Sequence, residues 1–237
     1  MNGLLGLQVD FAEGLVWYFV FLYSTTLHEA AHAWAADRLG DDTARRSGQV
    51  SLDPIPHIVR EPMGMVVVPV LSWFLNGGGW MMGWASAPYD PVWAMRYPRR
   101  AAWMAAAGPA SNLVLLLLAL GGLRLGLESG VFVPVQNPDL AHIVAADAGG
   151  RAWEFLATLL NITFALQVVL VPFNLLPVPP LDGSALPLLF LPRRAAIIYQ
   201  EFLQNSSVQT FGMLVAWQVS GKILPHAFHG ALRLLYF

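Results

Sequence analysis

The chain of 237 residues has no cysteine. That excludes disulfides and thiolate metal sites, and leaves histidine, aspartate and glutamate as the side chains able to hold a metal tightly. Charge is scarce too: 12% of residues are Asp, Glu, Lys or Arg, about half the usual share of a soluble domain. The net charge of −2 offers no basic surface for nucleic acid. No basic segment precedes the first apolar run and no small-residue cleavage site follows it, so a removable signal peptide is not expected. Internal repeats and low-complexity linkers are missing as well. What remains is apolar: 56% of residues are hydrophobic and the mean hydropathy is +0.54. Long uncharged runs make this an all-α polytopic membrane protein, one transmembrane domain over residues 1–237 in contact with the lipid bilayer.

Within the first run, residues 14–36, the only charged or imidazole side chains are His28, Glu29 and His32. About 23 helical residues at 1.5 Å each span roughly 35 Å, enough to cross a bilayer. Positions i and i+4 share a helix face, so His28 and His32 can reach one ion. Glu29, beside them, can hold or deprotonate a metal-bound water. Ionisable groups in such a segment are expensive and as a rule functional. The plainer reading is a helix end whose polar residues meet the membrane interface.

Further along, the loop 37–61 carries Arg38, Arg45, Arg46 and Arg60 with turn signals, and residues 49–52 read as a short strand. Residues 62–89 are uncharged but broken by Pro69 and by Asn76-Gly77-Gly78-Gly79, which predicts two apolar limbs around a turn, re-entrant or a short β-hairpin. Arg96, Arg99 and Arg100 follow, so both flanks of that segment are expected on the cytoplasmic side. Residues 101–123 and 155–181 read as spans and 202–221 as a candidate last one, giving about four to five transmembrane helices. Asn112 in the second span reads first as an interhelical hydrogen bond. His142, in the external loop 124–151, shows no partner in the sequence. The third span breaks at Asn174-x-x-Pro177-x-Pro179-Pro180-Leu181-Asp182-Gly183. Asp182 there is either the cap of a short helix over 184–191 or the oxygen ligand that two histidines need. His226 and His229 could bind metal, although an interfacial amphipathic helix accounts for them as well.

Three blocks in this order resemble the site-2 protease family of intramembrane zinc metalloproteases, in its short bacterial-type branch without a PDZ domain: His28-Glu29-x-x-His32, Gly108-Pro109-x-x-Asn112, and the block from Asn174 to Gly183. Gly83-Trp84-Ala85 and Ser51-Leu52-Asp53-Pro54-Ile55-Pro56-His57-Ile58 resemble the same branch, with Asp53 where the branch has Asn and Val59-Arg60 where it has Asp-Pro. The resemblance covers roughly residues 15–195. It implies one Zn2+ per chain on His28, His32 and Asp182, with Glu29 as the catalytic acid/base. It implies support of substrate or transition state by Asn174, with Asn112 and His57 as weaker candidates. Residues 65–85 match the place of membrane-embedded strands that receive an unwound substrate. The implied partner is a membrane protein or peptide, cleaved within or near a transmembrane segment. The implied place is a prokaryotic inner membrane, with the site towards the cytoplasm. Two other readings stand beside it: a non-proteolytic zinc-binding scaffold, and a metal or proton transporter using the same four side chains. An intact Glu29 speaks against the first. The lack of paired repeat halves speaks against the second.

Overall fold

The computed structural model describes residues 10–147 and 149–237. Asp10 starts the first long helix, α1 (Phe11–Leu39), by accepting hydrogen bonds from the main-chain N–H groups of Ala12 and Glu13 at 2.9 and 3.3 Å. Gly40 ends it at φ +103°, a left-handed conformation that a Cβ would strain. The expected run 14–36 lies wholly inside this helix.

The loop after α1 holds two short helices, α2 (Thr43–Arg46) and α3 (Ile55–Arg60). Residues 49–52 do not form the expected strand. Instead the Ser51 hydroxyl accepts from Asp53 N–H, and the Asp53 carboxylate accepts from Ile55 N–H, so local side chains turn the backbone away from a ladder.

Residues 62–89 do double back at Asn76–Gly79, where Gly77 and Gly78 have φ of +63° and +84°. The limbs are not two strands, however. The first is helical: a π-helical turn (Met63–Val67) running into α4 (Val68–Leu75). The second, residues 80–90, forms neither helix nor strand. A limb with no strand partner in an apolar setting satisfies its main chain by coiling on itself, and the β-hairpin expectation fails for that reason. The limbs meet through the Ser72 hydroxyl, which bonds the N–H of Met82 at 3.0 Å, and through Trp84 N–H donating to the Gly64 carbonyl at 3.1 Å. Gly64 and Gly83 allow this pass: a Cβ on Gly64 would collide with the Trp84 carbonyl, and one on Gly83 with the Gly64 carbonyl.

After α5 (Pro91–Arg96) come the two helices that, among the described residues, are by length and composition apolar enough to cross a membrane, α6 (Pro98–Glu128) and α7 (Arg151–Asn174). α6 lies between α1 and α7, which also touch each other. The expected third span stops early, at Asn174, because Pro177, Pro179 and Pro180 cannot continue it. A 3-10 turn (Asp182–Leu189) follows, then α8 (Arg193–Gln204) and α9 (Ser206–Tyr236), which runs well beyond the expected 202–221. Between α6 and α7 the loop forms a two-stranded antiparallel sheet, β1 (Phe132–Pro134) and β2 (Val144–Ala146), so the fold is mostly rather than purely helical.

Two ends can be distinguished. At one, His142 is not isolated as expected: its ring lies 3.4 Å from the Glu13 carboxylate and 3.0 Å from that of Asp139, tying the start of α1 to the β1–β2 loop. Tyr236, at the end of α9, donates to the Ile143 carbonyl of the same loop. At the other end Arg100 donates to the Leu39 carbonyl, and Asp90 N–H donates to the Asp41 carboxylate. A core of Leu123, Phe132, Ile143, Phe164 and Leu235 fills the first end.

The buried Asn161 of α7 pins the sheet, accepting from Val144 N–H at 3.1 Å and donating to its carbonyl at 2.8 Å. Asn161→Leu leaves both main-chain groups buried and unpaired, and is expected to cost about 1–3 kcal/mol. Thermal unfolding in detergent followed by circular dichroism checks this; an unchanged midpoint would show that the amide is dispensable.

Candidate metal centre

His28 and His32 sit one helical turn apart on α1, both buried. Asp182 opens the 3-10 turn after the proline-rich break. These three are the only group of three or more histidine or acidic side chains able to share a metal ion among the described residues. His28 Nε2 lies 3.0 Å from His32 Nε2 and 3.1 Å from an Asp182 oxygen, and His32 Nε2 lies 3.3 Å from the other Asp182 oxygen. A tetrahedral zinc with bonds of 2.0–2.1 Å separates its donors by about 3.3 Å, so this triangle has the right size.

The far side of each ring tells which nitrogen is free. His28 Nδ1 donates to Asn112 Oδ1 at 2.9 Å, and His32 Nδ1 donates to the Met104 carbonyl at 2.8 Å. With hydrogens on both Nδ1 atoms, both Nε2 lone pairs point into the triangle, facing a carboxylate. Three electron-rich atoms so close repel one another unless a cation lies among them, and the donor set of two imidazoles and a carboxylate fits zinc.

The Asn112 amide is held in turn. Its Nδ2 donates to Gln167 Oε1 at 2.7 Å, and Gln167 Nε2 donates to Ser24 Oγ at 2.7 Å. The chain Ser24–Gln167–Asn112–His28 thus joins α1, α7 and α6 and fixes one imidazole. Asn112 is an interhelical hydrogen bonder, as its place in a span suggested, and its partner is the histidine itself.

Close approach completes the centre. Gly108 of α6 faces both imidazoles: an added Cβ would lie 2.6 Å from His28 Nε2 and nearer still to His32 Nε2. A Cβ on Gly183 would run into the Leu175 carbonyl and lie 2.6 Å from that of Leu176, so only glycine lets the Asp182 turn fold back on the end of α7. Gly212 of α9 packs as closely on the Pro179 carbonyl. The sequence reading missed Gly108, Gln167 and Ser24 as parts of the site. An amide in the middle of an apolar helix and a hydroxyl four residues before His28 were the available signals.

The other expected site residues are not members of this group. Glu29 is buried next to His28 and accepts no hydrogen bond from any described residue. Asn174 is the partly exposed last residue of α7, with no side-chain hydrogen bond among the described residues. His57 is buried on α3, its Nε2 3.1 Å from the Ser51 carbonyl and its Nδ1 unpartnered, and it does not join the metal group. His226 and His229 each bond the carbonyl four residues back rather than pairing.

Two buried histidines of one helix and a partly buried aspartate of a distant turn make a candidate metal centre within a helical bundle. The chain belongs to peptidase family M50, whose family model matches residues 16–217. It is similar to YwhC of Bacillus subtilis (strain 168), named as a zinc metalloprotease: 34% identity over 163 residues, 68% of this chain and 63% of the relative. It is similar also to Rip2 of Mycolicibacterium smegmatis, 35% identical over 163 residues (69% and 52%). Rip2 of Mycobacterium tuberculosis (strain Erdman) is 34% identical over 165 residues (70% and 53%). Both Rip2 proteins carry the same zinc metalloprotease designation. The matches therefore span between 52% and 63% of these relatives' lengths. No solved structure matches the chain.

Asn112→Leu keeps the bulk but leaves His28 Nδ1 without its acceptor. Zinc affinity, measured by competition with a chromogenic chelator, is expected to fall about 10–100-fold, and Gly108→Ala should lower it at least as much. Wild-type affinity in both would show that neither the amide nor the close approach of α6 matters to the metal.

Proposed function

We propose that this chain is an intramembrane zinc endopeptidase that hydrolyses peptide bonds within or near the membrane spans of other membrane proteins. The observation that carries the reading is the convergence of the buried His28 and His32 with the partly buried Asp182, Glu29 being buried next to His28 in sequence and free of protein donors among the described residues. His28 and His32 through Nε2, and Asp182 through its carboxylate, would hold the metal. When bound, zinc supplies Lewis acidity towards a water and towards the scissile carbonyl. Glu29 takes a proton from the attacking water and returns it to the leaving amine. Its freedom from other hydrogen bonds suits that work and separates this reading from a zinc scaffold, which needs no base. Asn112, through His28, keeps the imidazole in the tautomer that the metal requires. Asn174, at the mouth of the Asp182 loop, orients the substrate main chain.

A peptide bond in a helix is shielded by its own hydrogen bonds, so a substrate span must unwind first. Residues 80–90, outside any helix or strand, pass α1 at Phe21, where a Cβ on Gly83 would meet its ring. With few main-chain bonds to the rest of the fold, they offer a strand edge to an unwound substrate in place of the hairpin expected from the sequence.

The arrangement fits four crossings, α1, α6, α7 and α9, in one transmembrane domain, with residues 62–89 re-entrant. The end bearing Arg38, Arg45, Arg46, Arg96, Arg99, Arg100, Arg193 and Arg194 then faces the cytoplasm of a prokaryotic cell. His32 lies seven residues, about 10 Å, from the Leu39 end of α1, so the site sits towards that side.

Glu29→Gln is expected to retain zinc and to lower cleavage of a membrane-span substrate in detergent or liposomes by about 10²–10⁴-fold. Unimpaired cleavage would remove Glu29 from the chemistry; loss of zinc would make its role structural.

A further inference from the structure

Arginines gather where two helices begin. Arg99 and Arg100 lie in the first turn of α6, Arg193 and Arg194 in that of α8, and neither turn holds an acidic residue. A helix N-terminus carries partial positive charge and unpaired N–H groups, so cations are disfavoured there and an anion is favoured. Both N-termini open on one cavity of about 650 Å³, lined by Arg96, Arg99, Arg100 and Arg193 with Leu188 and Leu191, and no carboxylate lines it. Arg100 is already engaged, donating to the Leu39 carbonyl and lying 4.5 Å from the Tyr97 ring centre. Arg96, Arg99, Arg193 and Arg194 have no acidic partner among the described residues. Their neighbours at the same end are different: Arg45 and Arg46 are neutralised by Asp37 and Asp42 at 3.2 and 2.8 Å. Arg38 and Arg60 also lack an acidic partner among the described residues but stand apart from the cavity, Arg38 over the Trp34 ring and Arg60 on Ser86, so this cavity is where several unpaired arginines meet.

What surrounds the cavity is apolar and faces outward. Trp103 follows Arg99 by one turn of α6 and is 59% exposed. Ile198 follows Arg194 by one turn of α8, and Phe190 beside Leu191 is 85% exposed. Charge at the helix ends, then large apolar side chains one turn on, is the profile of a lipid–water interface. It suits a ligand with an anionic head and an apolar tail better than a soluble anion or an acidic peptide.

We propose that this cavity binds the phosphate headgroup of an anionic phospholipid, with Arg96, Arg99 and Arg193 on the phosphate and Leu191 against the start of the acyl chains. Leu188 belongs to the 3-10 turn that Asp182 opens, and it is buried on Ala102 and Ala196. The lipid therefore backs the turn that carries the third metal donor. Binding of the lipid does not depend on proteolysis.

The test is native mass spectrometry of the full chain in detergent, titrated with phosphatidylglycerol, phosphatidylethanolamine, sodium phosphate or an oligoglutamate peptide. The wild type is expected to retain one phosphatidylglycerol with at least about tenfold preference over phosphatidylethanolamine. Arg99→Gln/Arg193→Gln should abolish that preference, while Arg45→Gln/Arg46→Gln, of equal charge change at the same end, should keep it. The single variants Arg99→Gln and Arg193→Gln, on separate helices, should each weaken it severalfold, which preserves the test if the double variant does not fold. Equal retention of the two lipids, or phosphatidylglycerol binding unchanged in the Arg99 and Arg193 variants, would overturn the proposal. Displacement of the lipid by millimolar phosphate would overturn the lipid in favour of a soluble phosphate ester. Preferential binding of oligoglutamate would overturn it in favour of an acidic peptide.

Discussion

Two imidazole lone pairs and a carboxylate meet within 3.3 Å in the interior of a helical bundle, and much of the architecture exists to hold them there. Left alone they repel, and burial removes the water that would soften the repulsion. The structure answers with a hydrogen bond behind each ring, which puts the Nδ1 hydrogens on Asn112 and the Met104 carbonyl and turns both Nε2 atoms inwards. It also brings α6 in at Gly108, where no side chain would fit. The 3-10 turn of Asp182 reaches the site because Gly183 lets it lie against the residues that end α7, and α9 packs through Gly212 on Pro179 in the proline-rich break before that turn.

The demands of the site also account for the composition of α1. A helix built only to cross a membrane would be apolar throughout, as α6 and α7 nearly are. α1 gives up hydropathy to His28, Glu29 and His32, and to Ser24, which ends the hydrogen-bond chain through Gln167. Polar groups buried at such depth are tolerable when they find partners: the four side chains of that chain lie on three helices and are mutually satisfied.

Much of the site was legible in the sequence because its chemistry is rare in an apolar chain. Once cysteine is missing, histidines four apart in a span and an aspartate after three prolines have little reason to be there except to hold a metal. The same contrast would have exposed Gln167, whose amide has no reason to lie in a span without a partner. Gly108 was less legible: small residues in membrane helices usually mean helix packing, and only coordinates show that the close neighbour is a pair of imidazoles. In the sequence alone the segment 62–89 stays open between a re-entrant segment and a short β-hairpin, because a β-branched, proline-containing run such as 62–75 fits a strand as well as a helix. What decided it was the missing strand partner, a tertiary fact. The β1–β2 sheet was hidden for a similar reason, since its strands are three residues long and rest on Asn161 of another element.

The central claim is that two motifs, 154 positions apart for His28 and Asp182, form one metal centre. Metal content of detergent-purified protein, read by inductively coupled plasma mass spectrometry, tests it most directly. About one zinc per chain is expected in the wild type, lost in both His28→Ala and Asp182→Ala while helical content is kept. Zinc retained in Asp182→Ala, or no zinc in a wild type prepared without chelators, would contradict it.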